Sequence, residues 1–472
     1  MIEARAMREC CGIVGISLSE GNSSLPIYYG LYALQHRGQE SAGIAVCENG
    51  EINVLKGMGL VYEVFDEKKL ELLRGNAGIG HVRYSTTGAS RIENAQPLVL
   101  DFKGGSIAIA HNGNLVNTQE LRRELEREGR VFHTDCDSEV IAQLLVKELM
   151  RHDLLTAIKE IMLRLRGSYS LVMLVNDALV AVRDPLGFRP LCIGEFDSGY
   201  IVASETAAID VLGGRFLQDV KPGEVVIFKD GELLERHRLY KASNTAHCVF
   251  EYIYFARADS VLDGRLVYDV RLKIGERLAE EHPIEADMVT PVPDSGVTFA
   301  IGYARRSGIP YMEGFIKNRY VGRTFIMPEQ RMRDVAVRLK LNVVRKNVED
   351  RRVVVVDDSI VRGTTSRRIV NYIRRGGARE VHFRVGSPPI IAPCYMGIDM
   401  STREELIAAN HDVDEICRLI EADTLGYLSL EGLIDAIGLP ARSLCLGCLT
   451  GRYPIEIPGE VCILRQLTLS QF

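Results

Sequence analysis

The stretch RRVVVVDDSIVRGTTSRRIVNYIRRGG, residues 351–377, decides the fold of the second half of the chain. Its four consecutive valines, 353–356, are typical of a strand that is buried on both faces of a parallel sheet. A polar loop follows, and a helical pattern begins near Thr365 and ends at the pair Gly376 and Gly377. A strand that leads through a loop into a helix predicts an α/β domain with a parallel sheet.

The loop between this strand and helix has the composition of a ligand site. Asp357 and Asp358 stand at the carboxyl end of the strand, where open α/β sheets bind their ligands. Gly363 and the hydroxyls beside it favour a phosphate at the helix start. The adjacent carboxylates suit either ribose hydroxyls or a Mg²⁺ ion that bridges to phosphate. The alternative is an ordinary strand–helix turn with polar capping residues, and the loop is not a Walker A motif.

This segment resembles the 5-phosphoribosyl-1-pyrophosphate (PRPP) motif of type I phosphoribosyltransferases. The resemblance implies that the acidic pair contacts the ribose and that the loop grips the 5-phosphate. The residues assigned to PRPP in this way are Asp357, Asp358, Ser359, Arg362, Gly363, Thr364 and Thr365. Upstream, PVPDSG (291–296) would meet the pyrophosphate, and Ser295 would join Asp357 and Asp358 around Mg²⁺.

The first half of the chain has a different pattern. Short apolar runs are separated by turn residues, which predicts many strands with a few helices in a layered α+β domain. The runs include GIVGIS (12–17), AGIGHVRYS (77–85), SIAIAHNG (106–113) and SYSLVMLV (168–175). A helix is predicted over residues 137–151. The pattern changes near residues 236–247, which predicts domains over 11–240 and 241–472.

The motif CGIVGI, which begins at Cys11, is followed in order by LQHRGQESAGIA, GHVRYSTTG, AHNGNL and TDCDSE. This ordered set resembles the glutaminase domain of the N-terminal-nucleophile (class II) amidotransferases, which has αββα layers. The resemblance implies that a mature N-terminal cysteine attacks the glutamine amide and that its own α-amino group is the base. Because an amine in a peptide bond cannot serve as this base, residues 1–10 would be a removable propeptide.

The same resemblance assigns the other residues of the glutaminase site. Arg83 would bind the α-carboxylate of glutamine, and Asp137 its α-ammonium group. Asn112 and Gly113 would form the oxyanion hole, and Arg37 would line the site. The open alternatives are that Arg83 forms a surface ion pair and that Asp137 simply caps the following helix.

A glutaminase domain that precedes a type I phosphoribosyltransferase domain resembles the glutamine PRPP amidotransferase, or amidophosphoribosyltransferase, family. The implied reaction is glutamine + PRPP + water → 5-phosphoribosylamine + glutamate + pyrophosphate, the first step of de novo purine (IMP) synthesis, with ammonia passing between the sites. The family also implies a homotetramer and feedback inhibition by purine nucleotides. Two alternatives are a non-catalytic PRPP-sensing regulator and another class II amidotransferase, such as a glucosamine-6-phosphate synthase.

Four cysteines resemble the ligand set of the iron–sulfur branch of this family. Cys248 precedes the segment FEYIYFARADS (250–260), which looks like the family's interdomain segment. The resemblance adds Cys394 and the C-x-x-C pair Cys445 and Cys448, and it implies a structural [4Fe–4S] cluster. On ligand chemistry alone, zinc bound by four cysteines is the alternative.

The composition is that of a soluble globular protein. The 472 residues include 63 acidic and 57 basic ones, for a net charge of −6, which gives no reason to expect nucleic acid or an anionic membrane as a partner. No apolar run is long enough to span a bilayer, and the first ten residues lack the apolar core of a secretion signal. A cytoplasmic location is therefore expected.

Overall fold

The computed structural model describes residues 11–84, 89–318, 341–398, 400 and 402–459. The predicted propeptide, residues 1–10, lies outside the described residues. Within the described ranges, every helix is too short or too polar to cross a lipid bilayer.

Two antiparallel sheets form the centre of the N-terminal half. One has the strand order β11-β9-β10-β1-β4-β2-β3 and the other β13-β12-β8-β7-β6-β5. Apolar side chains from both sheets, such as Ile13 and Val172, pack between them and are fully buried. The strands are β1 Gly12–Leu18, β2 Ser41–Glu48, β3 Glu51–Met58, β4 Ala77–Arg83, β5 Leu98–Phe102, β6 Gly105–Leu115, β7 Gly167–Val175, β8 Ala178–Arg183, β9 Cys192–Phe196, β10 Gly199–Ala203, β11 Arg215–Asp219, β12 Glu224–Lys229 and β13 Glu232–Arg238.

Helices cover the outer faces of both sheets and complete the predicted αββα layers. Apolar side chains of the helices Ser24–Ala33 and Thr206–Val211 pack on the first sheet. The amphipathic helices Thr118–Arg127, Asp137–Leu149 and Leu154–Arg164 pack on the second. Short helices span Val61–Val64 and Glu67–Glu71, with a 3₁₀ turn at Ile92–Asn94.

A parallel sheet organises the C-terminal half, as the run of valines predicts. Its order is β17-β20-β21-β22, and Val353 to Val356 of β20 are fully buried. Its strands are β17 Met288–Pro291, β20 Arg352–Asp357, β21 Glu380–Val385 and β22 Thr424–Tyr427. Within the described residues, the helices of this half are Val267–Glu281, Val297–Ser307, Arg345–Val348, Thr364–Arg375, Ile407–Asn410, Val413–Ile420, Leu430–Ile437 and Gly447–Thr450, with 3₁₀ turns at Arg403–Glu405 and Ala441–Ser443.

Small elements join the two halves. A π-helix at Glu251–Phe255 follows β14, His247–Cys248, which pairs in parallel with β23, Leu444–Cys445. This pairing brings the C-terminal segment to the junction between the halves. Two further strand pairs are β15 Val261–Leu262 with β16 Arg265–Leu266, and β18 Phe315–Lys317 with β19 Leu341–Val343.

Candidate active sites

Cys11 lies immediately before β1, next to Tyr84 at the end of β4. Its side chain is buried, and its Sγ–H donates to the backbone carbonyl of Tyr84 over 3.5 Å. Burial raises the pKa of the Cys11 thiol; the charges of Arg83 and Arg37 act to lower it, and that of Asp137 acts to raise it. The three charged residues predicted for the glutaminase site are therefore close enough to act on this sulfur.

Asp137 is the first residue of the helix 137–149. The Leu115 N–H donates to its Oδ2 over 3.0 Å, and its Oδ1 lies 3.6 Å from Nδ1 of His111. Burial acts to raise the pKa of the Asp137 carboxyl, but the charge and hydrogen bond of His111, together with backbone N–H donors such as that of Leu115, leave that pKa below its ordinary value. The N-cap position is occupied by Cys136, so capping does not account for Asp137.

Asn112 and Gly113 lie on β6 beside Asp137. Among the described residues, the buried Nδ2 of Asn112 has no hydrogen-bond partner. A donor in this state is available to a substrate oxygen, because a buried amide N–H is costly to leave unpaired. Gly113 has a φ of +156°, and a Cβ there would collide with the backbone of Ser168, which explains the glycine.

Arg83 is buried at the end of β4, and its Nη1 lies 3.5 Å from Oε2 of Glu40. The same nitrogen donates to the carbonyl of Ala89 over 3.3 Å. The alternative of a surface ion pair does not hold, because Arg83 is only 2% exposed. A substrate carboxylate would compete with Glu40 for this guanidinium, since both carry a negative charge.

Arg37 is tied to the backbone of the nucleophile. Its Nε donates to the carbonyl of Cys11 over 3.1 Å, and its Nη1 donates to Glu205 over 2.6 Å. The other donors reach Glu251 in the π-helix, over 3.0 and 2.7 Å. Sequence reasoning missed Glu205 and Glu251, since neither stands in a recognised glutaminase motif and each is distant from Arg37 along the chain.

The second site lies at the carboxyl end of β20. A cavity of about 180 Å³ is lined there by Tyr254, Val292, Ser295 and residues 357–366. The residues predicted for the ribose, the 5-phosphate and Mg²⁺ therefore line one cavity, and of the predicted pyrophosphate loop 291–296 Val292 and Ser295 line it too. Gly363 caps the following helix at a φ of +75°, a conformation that favours glycine.

The surroundings of Asp357 and Asp358 disfavour the ionised form of both carboxyl groups. Burial, and then the charge of Asp358, raises the pKa of Asp357 well above its ordinary range. Burial also raises the pKa of Asp358, against hydrogen bonds from Ser295 and Ser359. Two buried carboxylates side by side are suited to a divalent cation or to several hydroxyl donors, either of which would offset their charge.

The π-helix reaches both sites. Glu251 pairs with Arg37, which holds the Cys11 carbonyl, while Tyr254 lines the cavity beside Asp357. The two sites are thus separated by a short, mostly buried segment of chain.

The four cysteines singled out from the sequence meet at the junction of the halves. Cys248 lies opposite Cys445 in the β14–β23 pair, and the N–H groups of residues 391 and 392 donate to the carbonyl of Cys448. Burial raises the pKa of Cys248 to about 11. Burial also raises the pKa of Cys445 and Cys448, and the charges of the neighbouring cysteines, Cys394 included, add to the shift. In the described part of the chain, no three His, Cys, Asp or Glu side chains are grouped as ligands of a metal ion.

Comparison with protein families matches both halves. A glutamine amidotransferase domain model matches residues 81–211, and a phosphoribosyl transferase domain model matches residues 258–385.

Comparison with whole proteins extends the match to nearly the full chain. Amidophosphoribosyltransferase of Archaeoglobus fulgidus is 60% identical over 456 residues, which cover 96% of this chain and 99% of the relative. Amidophosphoribosyltransferase of Bacillus subtilis is 48% identical and covers 97% of this chain and 96% of the relative. The structure of glutamine PRPP amidotransferase from B. subtilis, complexed with ADP and GMP, matches with a TM-score of 0.89 over 95% of this chain and 98% of that one, at 48% identity.

These matches confirm the resemblance and favour it over a sensor or another class II amidotransferase, because the relatives with both domains are named for one activity. The chain belongs to the amidophosphoribosyltransferase family.

Proposed function

We propose that this chain makes 5-phosphoribosylamine from glutamine and PRPP, with Cys11 as the nucleophile of one site and Asp357 and Asp358 as the ribose-binding pair of the other. The observation that carries the proposal is the π-helix, in which Glu251 reaches the Cys11 site and Tyr254 lines the acidic cavity. A glutaminase and a sugar-phosphate site joined in this way can pass ammonia through the interior.

At the first site, Cys11 attacks the side-chain amide of glutamine to give a glutamyl thioester and ammonia, and water then hydrolyses the thioester to release glutamate and the free thiol. Burial raises the pKa of the thiol, so a nearby base is needed to remove its proton. The α-amino group that is freed when residues 1–10 are removed would supply that base, since its pKa lies near 8.

The substrate would be held by opposite charges at its two ends. Arg83 binds the α-carboxylate and Asp137 the α-ammonium group. The unpaired Nδ2 of Asn112 and the N–H of Gly113 would donate to the oxyanion. Arg37 holds the Cys11 backbone rather than the substrate, because its donors are engaged by Cys11, Glu205 and Glu251.

At the second site, the loop 359–365 would hold the 5-phosphate at the helix start, and the acidic pair the ribose hydroxyls. Ser295, Asp357 and Asp358 would also hold Mg²⁺, which when bound would supply positive charge to neutralise the pyrophosphate leaving group. These residues suit Mg²⁺ because two buried carboxyl groups, whose pKa values are raised, lie beside the hydroxyl of Ser295. Ammonia then attacks C1 of the ribose as pyrophosphate leaves, and the site accelerates this step mainly by positioning the two reactants.

The four cysteines would ligate a [4Fe–4S] cluster, as the iron–sulfur branch of the family implies, and a single zinc ion is the alternative. The pairing of Cys248 with Cys445 and the charge effects among the four thiols support a common site. A four-iron cluster is larger than one ion and spaces its thiolates more widely. We expect a structural role, in which the cluster pins the segment around Cys445 and Cys448 to β14.

The remaining features are expectations from the family. We propose domains over residues 11–240 and 241–472, a homotetramer in the cytoplasm, and inhibition by purine nucleotides. The ADP and GMP in the B. subtilis structure support the last of these.

The proposed function is tested by pyrophosphate release from PRPP, measured with glutamine and then with ammonia as the nitrogen source. We expect both sources to support release by the mature, cluster-loaded enzyme. Absence of glutamine-dependent release from that enzyme would refute the proposal.

A further inference from the structure

A loop of the C-terminal half packs against the strand that carries the predicted oxyanion hole. The carbonyl of Met396 accepts three hydrogen bonds from the N-terminal half: from Ser168 Oγ over 2.8 Å, and from Arg189 Nε and Nη2 over 3.1 and 2.7 Å. Ser168 and Arg189 are fully buried. The loop around Met396 is therefore held firmly on the glutaminase side of the junction.

Ser168 connects this loop to β6. In the β6–β7 register, Ser168 stands opposite Asn114, and the Asn114 N–H donates to Ser168 Oγ over 3.1 Å. A hydroxyl has one proton to give, and here it goes to Met396. The result is a directional chain from the Asn114 N–H through the Ser168 hydroxyl to the Met396 carbonyl.

The same peptide is confined from two further directions. Asn114 Nδ2 donates to the carbonyl of Tyr395 over 3.0 Å. Gly397 lies so close that a Cβ on it would stand 2.9 Å from the carbonyl carbon of Gly113. Since the N–H of Gly113 belongs to the adjoining peptide, any shift of the Gly113–Asn114 link moves the oxyanion donor.

From these contacts we propose that Ser168 is a positioning residue for glutamine hydrolysis, which fixes the Gly113 N–H and the Asn112 amide by tying β6 to the Met396 carbonyl. The inference rests on the proposed function, because it takes Asn112 and Gly113 as the oxyanion hole. Ser168 does not touch the substrate; it acts through the backbone of β6.

Ser168→Ala removes the link but no oxyanion donor. Without the Ser168 hydroxyl, β6 loses its hydrogen-bonded tie to the Met396 carbonyl, and a small misplacement of a reacting group can cost about 10²-fold in rate. We expect kcat with glutamine to fall by about 10- to 100-fold, with the KM for glutamine changed less than about threefold. Ammonia-dependent synthesis should stay the same, since it does not use the oxyanion hole.

Ser170→Ala is the matched control. Ser170 is equally buried on β7, where it stands opposite Asn112, but its Oγ donates to the carbonyl of Arg189 over 3.2 Å and not to a residue of β6 or of the Met396 loop. We expect the kcat of this variant to match that of the parent enzyme.

A second readout is inhibition by the aldehyde analogue of glutamine, whose adduct with Cys11 places an oxyanion in the hole. Its KI should rise in Ser168→Ala by the same factor by which kcat falls. The inference is overturned if Ser168→Ala behaves like Ser170→Ala, if only KM changes, if KI stays the same, or if ammonia-dependent synthesis falls in parallel. Asn112→Ala distinguishes a failure of this inference from a failure of the proposed function. If Asn112→Ala loses glutamine-dependent activity while Ser168→Ala keeps it, only this inference is refuted. If Asn112→Ala keeps full glutamine-dependent activity, the proposed oxyanion hole is refuted.

Discussion

Arg37 and Glu251, 214 positions apart in the chain, form a buried ion pair in which two guanidinium nitrogens meet two carboxylate oxygens over 3.0 and 2.7 Å. The same guanidinium holds the carbonyl of Cys11. The pair therefore fixes the nucleophile's backbone to the segment that leads to the second site.

Removal of Arg37 should destabilise the protein strongly. Arg37→Met would leave Glu205 and Glu251 buried without this partner, and breaking such a pair costs about 3–5 kcal/mol. Thermal unfolding tests this prediction, with Arg215→Met as the control. Arg215→Met removes an exposed ion pair with Glu195 and should lower the free energy of unfolding by only about 0–1 kcal/mol. Equal effects of the two substitutions would contradict the buried network.

Cys11→Ala should separate the two activities. Loss of the nucleophile is expected to lower glutamine-dependent synthesis by at least about a thousandfold. The Cys11 thiol and its base act together, and water cannot take the place of the thiol as the nucleophile. Ammonia-dependent synthesis should persist. Cys47→Ala, which removes a buried thiol at the end of β2 opposite to the Ser41–Arg83 pair, serves as the control. Loss of both activities in Cys11→Ala would mean that the sites are not separable.

Asp357→Asn should abolish PRPP-dependent synthesis and yet stabilise the substrate-free protein. The folded pKa of Asp357 is raised by burial and by Asp358, so its favourable effect on stability is lost as the pH rises from about 4 through that raised pKa. Asn cannot ionise. The Tm advantage of the variant should therefore be near zero at pH about 4 and reach about 2–4 °C near pH 8.

Asp287→Asn is a control for this pH dependence, because the pKa of Asp287 is shifted in the opposite direction. Hydrogen bonds from Arg352 lower the pKa of Asp287 to about 2, so its stabilising effect is present above the unfolded pKa and is lost as the pH falls. This variant should lose stability at neutral pH. If the Asp357 variant follows the same trend, the raised pKa of Asp357 is wrong.

Iron and acid-labile sulfide should each be present at about four per chain in enzyme purified without oxygen. Cys445→Ser should lower both contents and destabilise the C-terminal segment, since Cys445 pairs with Cys248 between β14 and β23. Cys417→Ser, at a thiol outside this group, should retain both. Stoichiometric zinc in the parent protein would refute the cluster.

Local patterns predicted the parts of the molecule that local chemistry determines. Val353 to Val356 could be assigned to a buried parallel strand, and Asp357 to its carboxyl end, because side-chain type and strand topology suffice for both. The glutaminase residues were assigned from an ordered set of motifs.

Contacts between distant parts of the chain could not be predicted in this way. The Arg37–Glu251 pair and the Ser168–Met396 hydrogen bond join residues more than 200 positions apart. A buried Arg or Ser has no periodic pattern that reveals its partner. The π-helix at Glu251–Phe255 was likewise missed, since an apolar aromatic run fits a core strand or a helix equally well.

The central claim is that Cys11 acts through its own free amine, and the mature N-terminus tests it most directly. Intact mass and N-terminal sequencing of the active enzyme should show a chain that begins at Cys11, with residues 1–10 removed. A fully active enzyme that still carries residues 1–10, or that begins at Cys10, would contradict the mechanism.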